Sequence, residues 1–197
     1  MISNEKIIYD ALIQSYPNSI ESITDLSYNS SNKKKFIEST ETGFNFDDVI
    51  NIHPSCSSKE KTPDALFFYQ DTLYFIEFKE GQVDKAEIRA KIHEAVLTLY
   101  QFCCNNGLLS RHDFIDLNIR YALIYREKRS NIQNSSRIPF EHINNKYGLK
   151  NMEGFAVKKT KLYYDPKEIL KLLNKVTNGA VSYIDYYENN GCVQRVN

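Results

Sequence analysis

Residues 62–79 read TPDALFFYQDTLYFIEFK. Two apolar runs rich in Phe, Tyr, Leu and Ile flank a polar Gln70-Asp71-Thr72 break, so each run reads as a strand and the pair as a β-hairpin. The turn is not Asn-Gly, so its length stays open. That length decides the chemistry. Side chains alternate along a strand, which puts Glu77 and Lys79 on one face and Phe78 on the other. With a two-residue loop Asp64 joins the first face, about 5–8 Å from Glu77 and Lys79. With a three-residue loop it points away. Both faces of both strands are apolar, so the hairpin belongs inside a sheet covered on two sides.

Two carboxylates and an ammonium on an apolar hairpin are costly unless they pair or bind a metal. One reading is a strand end whose charges reach solvent and pair with each other. The other is a hard divalent cation held by Asp64 and Glu77, with Lys79 beside it to position a water. His53, at the exit of the preceding segment, reads as structural.

Pro63-Asp64, twelve residues, then Glu77-Phe78-Lys79 resembles the signature of the PD-(D/E)xK nuclease superfamily. The resemblance spans about residues 46–126. It rests on Asp at the start of one strand, ExK at the end of the next, then a long helix and a further strand. It implies an α/β fold, a restriction-endonuclease-like mixed β-sheet core flanked by helices. It also implies Mg²⁺ (or Mn²⁺) held by Asp64, Glu77 and the backbone carbonyl of Phe78, hydrolysis of phosphodiester bonds, and DNA rather than RNA as substrate. Members often add a glutamate from the helix before the first core strand; Glu38 and Glu41 are the candidates, and Glu38 is carried. They also often bring a polar residue from the long helix, for which Lys91 is the candidate and Gln82 the second choice. Lys91 alternatively forms an i,i+4 pair with Glu87. A small nuclease without a DNA-reading module suits a defence or mobile-element role. A homodimer is compatible, since two cuts need two sites. The rival readings are a nuclease fold without activity that binds DNA or protein, an interaction protein with no affinity for DNA, and an enzyme of another class, for which no motif speaks.

The 197 residues suit one domain with a sizeable core, here about 32–126, plus N-terminal helical and C-terminal α/β additions. No apolar run approaches the length that spans a bilayer, and the first residues lack a signal-peptide pattern, so a cytoplasmic protein without membrane partners is expected. Cys56, Cys103, Cys104 and Cys192 include no CxxC pair and read as reduced thiols, two of them in the core. Net charge is zero but unevenly spread: between Asn118 and Lys161 ten Lys or Arg face three acids, so that segment is net +7 and the rest net −7. This predicts either a solvated, paired face or a basic rim for nucleic acid, drawn from Arg126, Arg129, Arg137, Lys158, Lys159 and Lys161.

Around the hairpin the pattern predicts an amphipathic helix over 3–15, a short helix within 20–26, a helix over 32–44 stopped by Gly43, and a first core strand over 46–52. Downstream come a long helix over 84–104, capped by Asp84 with Glu87 in a capping box, and an alternating central strand over 117–126. A polar loop over 127–139 and a short helix over 140–147 follow. Then come one strand or a bent pair over 154–164 and a helix over 166–176 opened by Asp165-Pro166, before a C-terminal stretch that adds a strand or packs loosely.

Overall fold

The computed structural model describes residues 2–30, 33–49, 60–81, 83–126, 147–188 and 191–197. Its centre is the hairpin. Strands β4 (Ala65–Phe68) and β5 (Leu73–Glu80) pair antiparallel with Phe68 opposite Leu73. Tyr69 and Thr72 exchange both backbone hydrogen bonds (3.0 and 3.1 Å). Gln70 and Asp71 between them both sit in the left-handed region (φ 44° and 51°). This is the two-residue, type I′ geometry whose twist matches a hairpin. It fixes the register and sets Asp64 across from Glu77 when the pairing is continued by one residue.

Six strands form a mixed sheet. Besides the hairpin it contains β1 (Ile20–Ser22), β3 (Thr42–Asn45), β6 (Ile119–Arg126) and β7 (Lys159–Tyr163), in the order β1-β3-β4-β5-β6-β7. Pairing is antiparallel from β1 to β5 and parallel from β5 through β6 to β7. The parallel β5/β6 step requires a long crossover, supplied by helix α3 (Lys85–Asn105). Asp84 caps α3 by accepting from the Ala86 N–H. One face of the sheet, with Leu66, Phe75, Tyr121 and Leu123, packs on α3 and on α1 (Asn4–Ser15). The other, with Phe67, Tyr74, Ile76 and Ile124, packs on helix α5 (Pro166–Val176) and a small antiparallel sheet of β2 (Ile37–Glu38), β8 (Ile184–Tyr187) and β9 (Val193–Val196). Two further helices, α2 (Ile23–Leu26) and α4 (Arg111–Asp116), are short. Among the described residues no helix is long and apolar enough to cross a membrane.

Three expectations are corrected. The described part of 32–44 is not helical: it holds β2 and β3, joined by a three-residue link that bends at Thr40. Of the first core strand expected over 46–52, the described residues 46–49 form no strand: β3 ends at Asn45 and Phe46–Asp48 make a single 3-10 turn. Residues 20–26 split into β1 and α2. The polar loop over 127–139 and all but Tyr147 of the helix over 140–147 lie outside the described residues, as do His53, Cys56 and Gln82.

Gly43 does not stop a helix. It lies in β3 directly across from Phe67, and a Cβ placed on it would meet the Phe67 ring at 2.4 Å. The missing side chain lets the ring lie flat over the strand. Gly43→Ala is therefore expected to destabilise the fold by about 1–3 kcal/mol, read as a lower urea midpoint.

Candidate functional site

At the C-terminal end of β5 the α3-facing side chains are charged. Glu77 is fully buried, with its side chain 1% exposed, and Asp64 reaches the surface with a quarter of its side chain. The strand geometry explains how Asp64 is held. Continuing the ladder places Pro63 opposite Phe78, and proline has no N–H to offer. The Phe78 N–H instead donates to Asp64 Oδ2 at 2.6 Å. The Phe78 carbonyl, on the same side of the strand as its N–H, meets no ladder donor from position 63.

Lys91 comes in from the second turn of α3. Its Nζ lies 2.8 Å from both carboxylate oxygens of Glu77 and 3.8 Å from Asp64 Oδ1. Lys79 Nζ lies 3.5 Å from Glu77 and 2.7 Å from Glu87, also on α3. The i,i+4 pair of Glu87 with Lys91 is thus not what forms: each turns to the sheet and takes an opposite charge there. The result is an alternating network, Glu87–Lys79–Glu77–Lys91–Asp64. It opens into a cavity of about 310 Å³ walled on the other side by residues 26–30 and Phe36.

Burial pushes the carboxyl groups of both Asp64 and Glu77 above the usual carboxylate range, and in Glu77 the neighbouring Asp64 charge adds to it; Lys91 opposes the rise in both. For Lys91 burial acts to lower the pKa, but Glu77 and Asp64 outweigh it and hold the ammonium above its usual range. Glu87 is held low by its hydrogen bond from Lys79. Folded-state carboxyl values above the unfolded ones mean that the native state binds more protons in between. Stability from this pair is full below the ordinary carboxylate range and is lost as pH rises through the folded values. Urea midpoints measured over that range are expected to fall for the wild type and to fall less for Glu77→Gln; parallel profiles would count against it.

The structure brings together Asp64, Glu77, Lys79 and Lys91. It does not bring in Glu38, which stands on β2, half-exposed, paired with Lys35 at 3.1 Å and accepting from the Tyr187 hydroxyl. Arg126 is not at a basic rim. It is 3% exposed, paired with Glu80 and donating to the carbonyls of Lys35 and Tyr187, with its guanidinium 4.5 Å from the Phe36 ring centroid. Lys159 and Lys161 lie on the opposite face of the sheet, since their register partners Arg120 and Ala122 alternate with Tyr121 and Leu123. Lys158 is exposed and donates to the Ile115 carbonyl at 3.3 Å. Arg129 and Arg137 lie outside the described residues.

Sequence reasoning missed Asp47 and Glu87. Asp47, in the 3-10 turn, accepts from the Thr62 hydroxyl, and its charge acts on both Asp64 and Lys91. The Phe46-Asp47-Asp48 run gave no cue, because it read as strand. Glu87 reads in the sequence as part of a helix cap or as an i,i+4 partner of Lys91, not as the residue that holds Lys79.

No family model, curated protein or solved structure matches the chain. What the site can do is therefore set by its own donors. Among the described residues no group of three or more His, Cys, Asp or Glu gathers as a metal cage. Two carboxylates and one open carbonyl remain, all oxygen donors, and Lys91 already supplies positive charge between the carboxylates. That set suits a hard ion that keeps most of its waters, as Mg²⁺ does, better than zinc.

Proposed function

We propose that the chain is a metal-dependent deoxyribonuclease with a restriction-endonuclease-like core, hydrolysing phosphodiester bonds in DNA. The observation that carries this reading is the convergence of Asp64, Glu77, Lys79 and Lys91 on one face at the mouth of a cavity. Mg²⁺ (or Mn²⁺) would be held by Asp64, Glu77 and the Phe78 carbonyl. When bound, such an ion polarises a phosphoryl oxygen and lowers the pKa of a coordinated water. Lys91 balances the two carboxylates until then, and has to leave Glu77 to make room. Lys79, held in place by Glu87, presents an ammonium that orients the attacking water and offsets charge growing on the phosphate. Phe78 packs edge-on against Phe36 at 6.1 Å behind the strand and keeps the carboxylates in register. A homodimer belongs to the same proposal, as two such sites would cut both strands.

The second reading, a nuclease-like fold that binds DNA or protein without cutting it, is favoured by one observation: Lys91 already fills the seat between Glu77 and Asp64. Incubation of single-stranded, double-stranded and branched DNA, and of RNA, with Mg²⁺, Mn²⁺ or chelator separates the two. Cleavage that depends on the ion and is lost in Asp64→Ala and Lys79→Ala supports the nuclease. Cleavage surviving both variants refutes the site. Retained DNA binding without turnover leaves the binding module.

A further inference from the structure

The face of the large sheet turned away from the carboxylates carries a second cavity, of about 300 Å³, between β5, β6, β7 and α5. Its floor is one register row, in which Tyr74, Arg120 and Lys159 stand side by side on three adjacent strands. Lys161 extends the row's cationic side, and α5 overhangs it with Lys171 and Lys175. Five cations thus meet one carboxylate, Glu168, which already pairs with Lys171 at 2.8 Å and Lys161 at 3.4 Å.

The other three cations have no carboxylate partner among the described residues. Arg120 stands out. Its Nε is buried with no hydrogen-bond partner, and its Nη1 reaches only the Tyr74 hydroxyl, at 3.5 Å. Lys159 is exposed, and the Lys175 ammonium hovers over the rings of Tyr74 and Tyr69, at 5.4 and 5.6 Å. A buried guanidinium donor left unmade is costly, and a guanidinium offers the flat fork that suits phosphoryl oxygens. The rings of Tyr74 and Tyr163 are already covered, by Lys175 and by Lys161 at 4.4 Å, so the cavity's open capacity lies in its cations, and its volume is that of a small-ligand pocket.

We propose that this cavity binds a nucleotide-sized phosphate ester, its phosphoryl oxygens on Arg120, Lys159 and Lys175. The site is separate from the carboxylates and does not depend on the nuclease reading. The same chemistry is offered by a free nucleotide and by the phosphorylated end of a nucleic-acid strand. Calorimetric titration of the full chain in chelator at low salt, with ADP and with a short 5′-phosphorylated oligothymidylate, tests both sources. At least one probe is expected to bind. Arg120→Gln, and separately Lys159→Ala with Lys175→Ala, are each expected to weaken it about tenfold or more, as loss of a charged hydrogen bond implies. The lysines are exposed, so their double variant remains informative if Arg120→Gln fails to fold. Asp64→Asn is expected to leave binding unchanged, whatever it does to cleavage. Tighter binding of ADP assigns a free nucleotide, and tighter binding of the oligomer assigns a strand end. Failure of both probes to bind, or binding that survives the lysine variant, overturns the site.

Discussion

Glu77→Gln is expected to lower ion-dependent cleavage by about a hundred- to a thousandfold or more, the size of effect seen when one preorganised charge-stabilising group is removed. The same substitution is expected to leave the fold as stable at neutral pH, or more so. Both outcomes follow from one fact: the carboxyl is buried and its environment resists ionisation. Holding it charged costs folding energy that Lys91 offsets only in part and that a bound cation would repay. Glutamine keeps the shape and one acceptor for Lys91 and removes that cost. Asp64→Asn is expected to act in the same direction on cleavage but with less benefit to stability. Its oxygen must still accept from the Phe78 N–H, which turns the amide NH₂ toward Lys91, 3.8 Å from the present Oδ1. Turnover on DNA and urea midpoints at neutral pH, taken on the same preparations, check the pair. Cleavage retained in both variants ends the site assignment. Cleavage lost together with a collapsed midpoint in both would place these residues in the structure rather than the chemistry.

The hairpin, the long helix, the central strand and the capped helix over 166–176 were legible because each is specified locally. Alternation marks the strands, Asp84 and Asp165 mark the helix starts, and the loop between the hairpin strands has one good solution once both central residues adopt positive φ. Residues 33–45 were not legible for the opposite reason. Ile37 pairs with Tyr186 and Phe44 with Leu66, so both strands owe their conformation to distant partners, while the lysine run and Gly43 mimic a helix and its stop. Helix α4 was missed although Ser110 and Asp113 form a full capping box, since six residues carry too little periodicity to stand out. At the site, strand parity alone put Glu77 and Lys79 on one face; Asp64 joins them only through the two-residue loop, which Gln70-Asp71 did not announce. Whether Glu87 and Lys91 would pair with each other or turn to the sheet could not be read off, because they are one turn apart on α3 and either arrangement satisfies the spacing. Charge counting misplaced Arg126 most. Nothing in the local sequence says that Glu80 stands beside it in register on the neighbouring strand.

That buried pair sets the largest expected loss of stability. Arg126→Ala is expected to cost about 3–5 kcal/mol, because it strands the Glu80 carboxylate, 4% exposed, without a counter-charge. It also removes the donor to the Lys35 and Tyr187 carbonyls, through which the residues just before β2 and the end of β8 are tied to the large sheet. Against a typical domain stability of about 5–15 kcal/mol this is a large fraction of the margin that keeps the chain folded. Replacing both partners, Arg126→Met with Glu80→Leu, is expected to recover part of the loss, since an apolar pair carries no desolvation cost. Recovery is expected to stop short by about 1–3 kcal/mol for each carbonyl left without a donor. Urea unfolding of the two single variants and the double variant closes the cycle. A cost below about 1 kcal/mol for Arg126→Ala, the level of a solvent-exposed pair, would mean that this arginine reaches water after all and would return it to the basic surface.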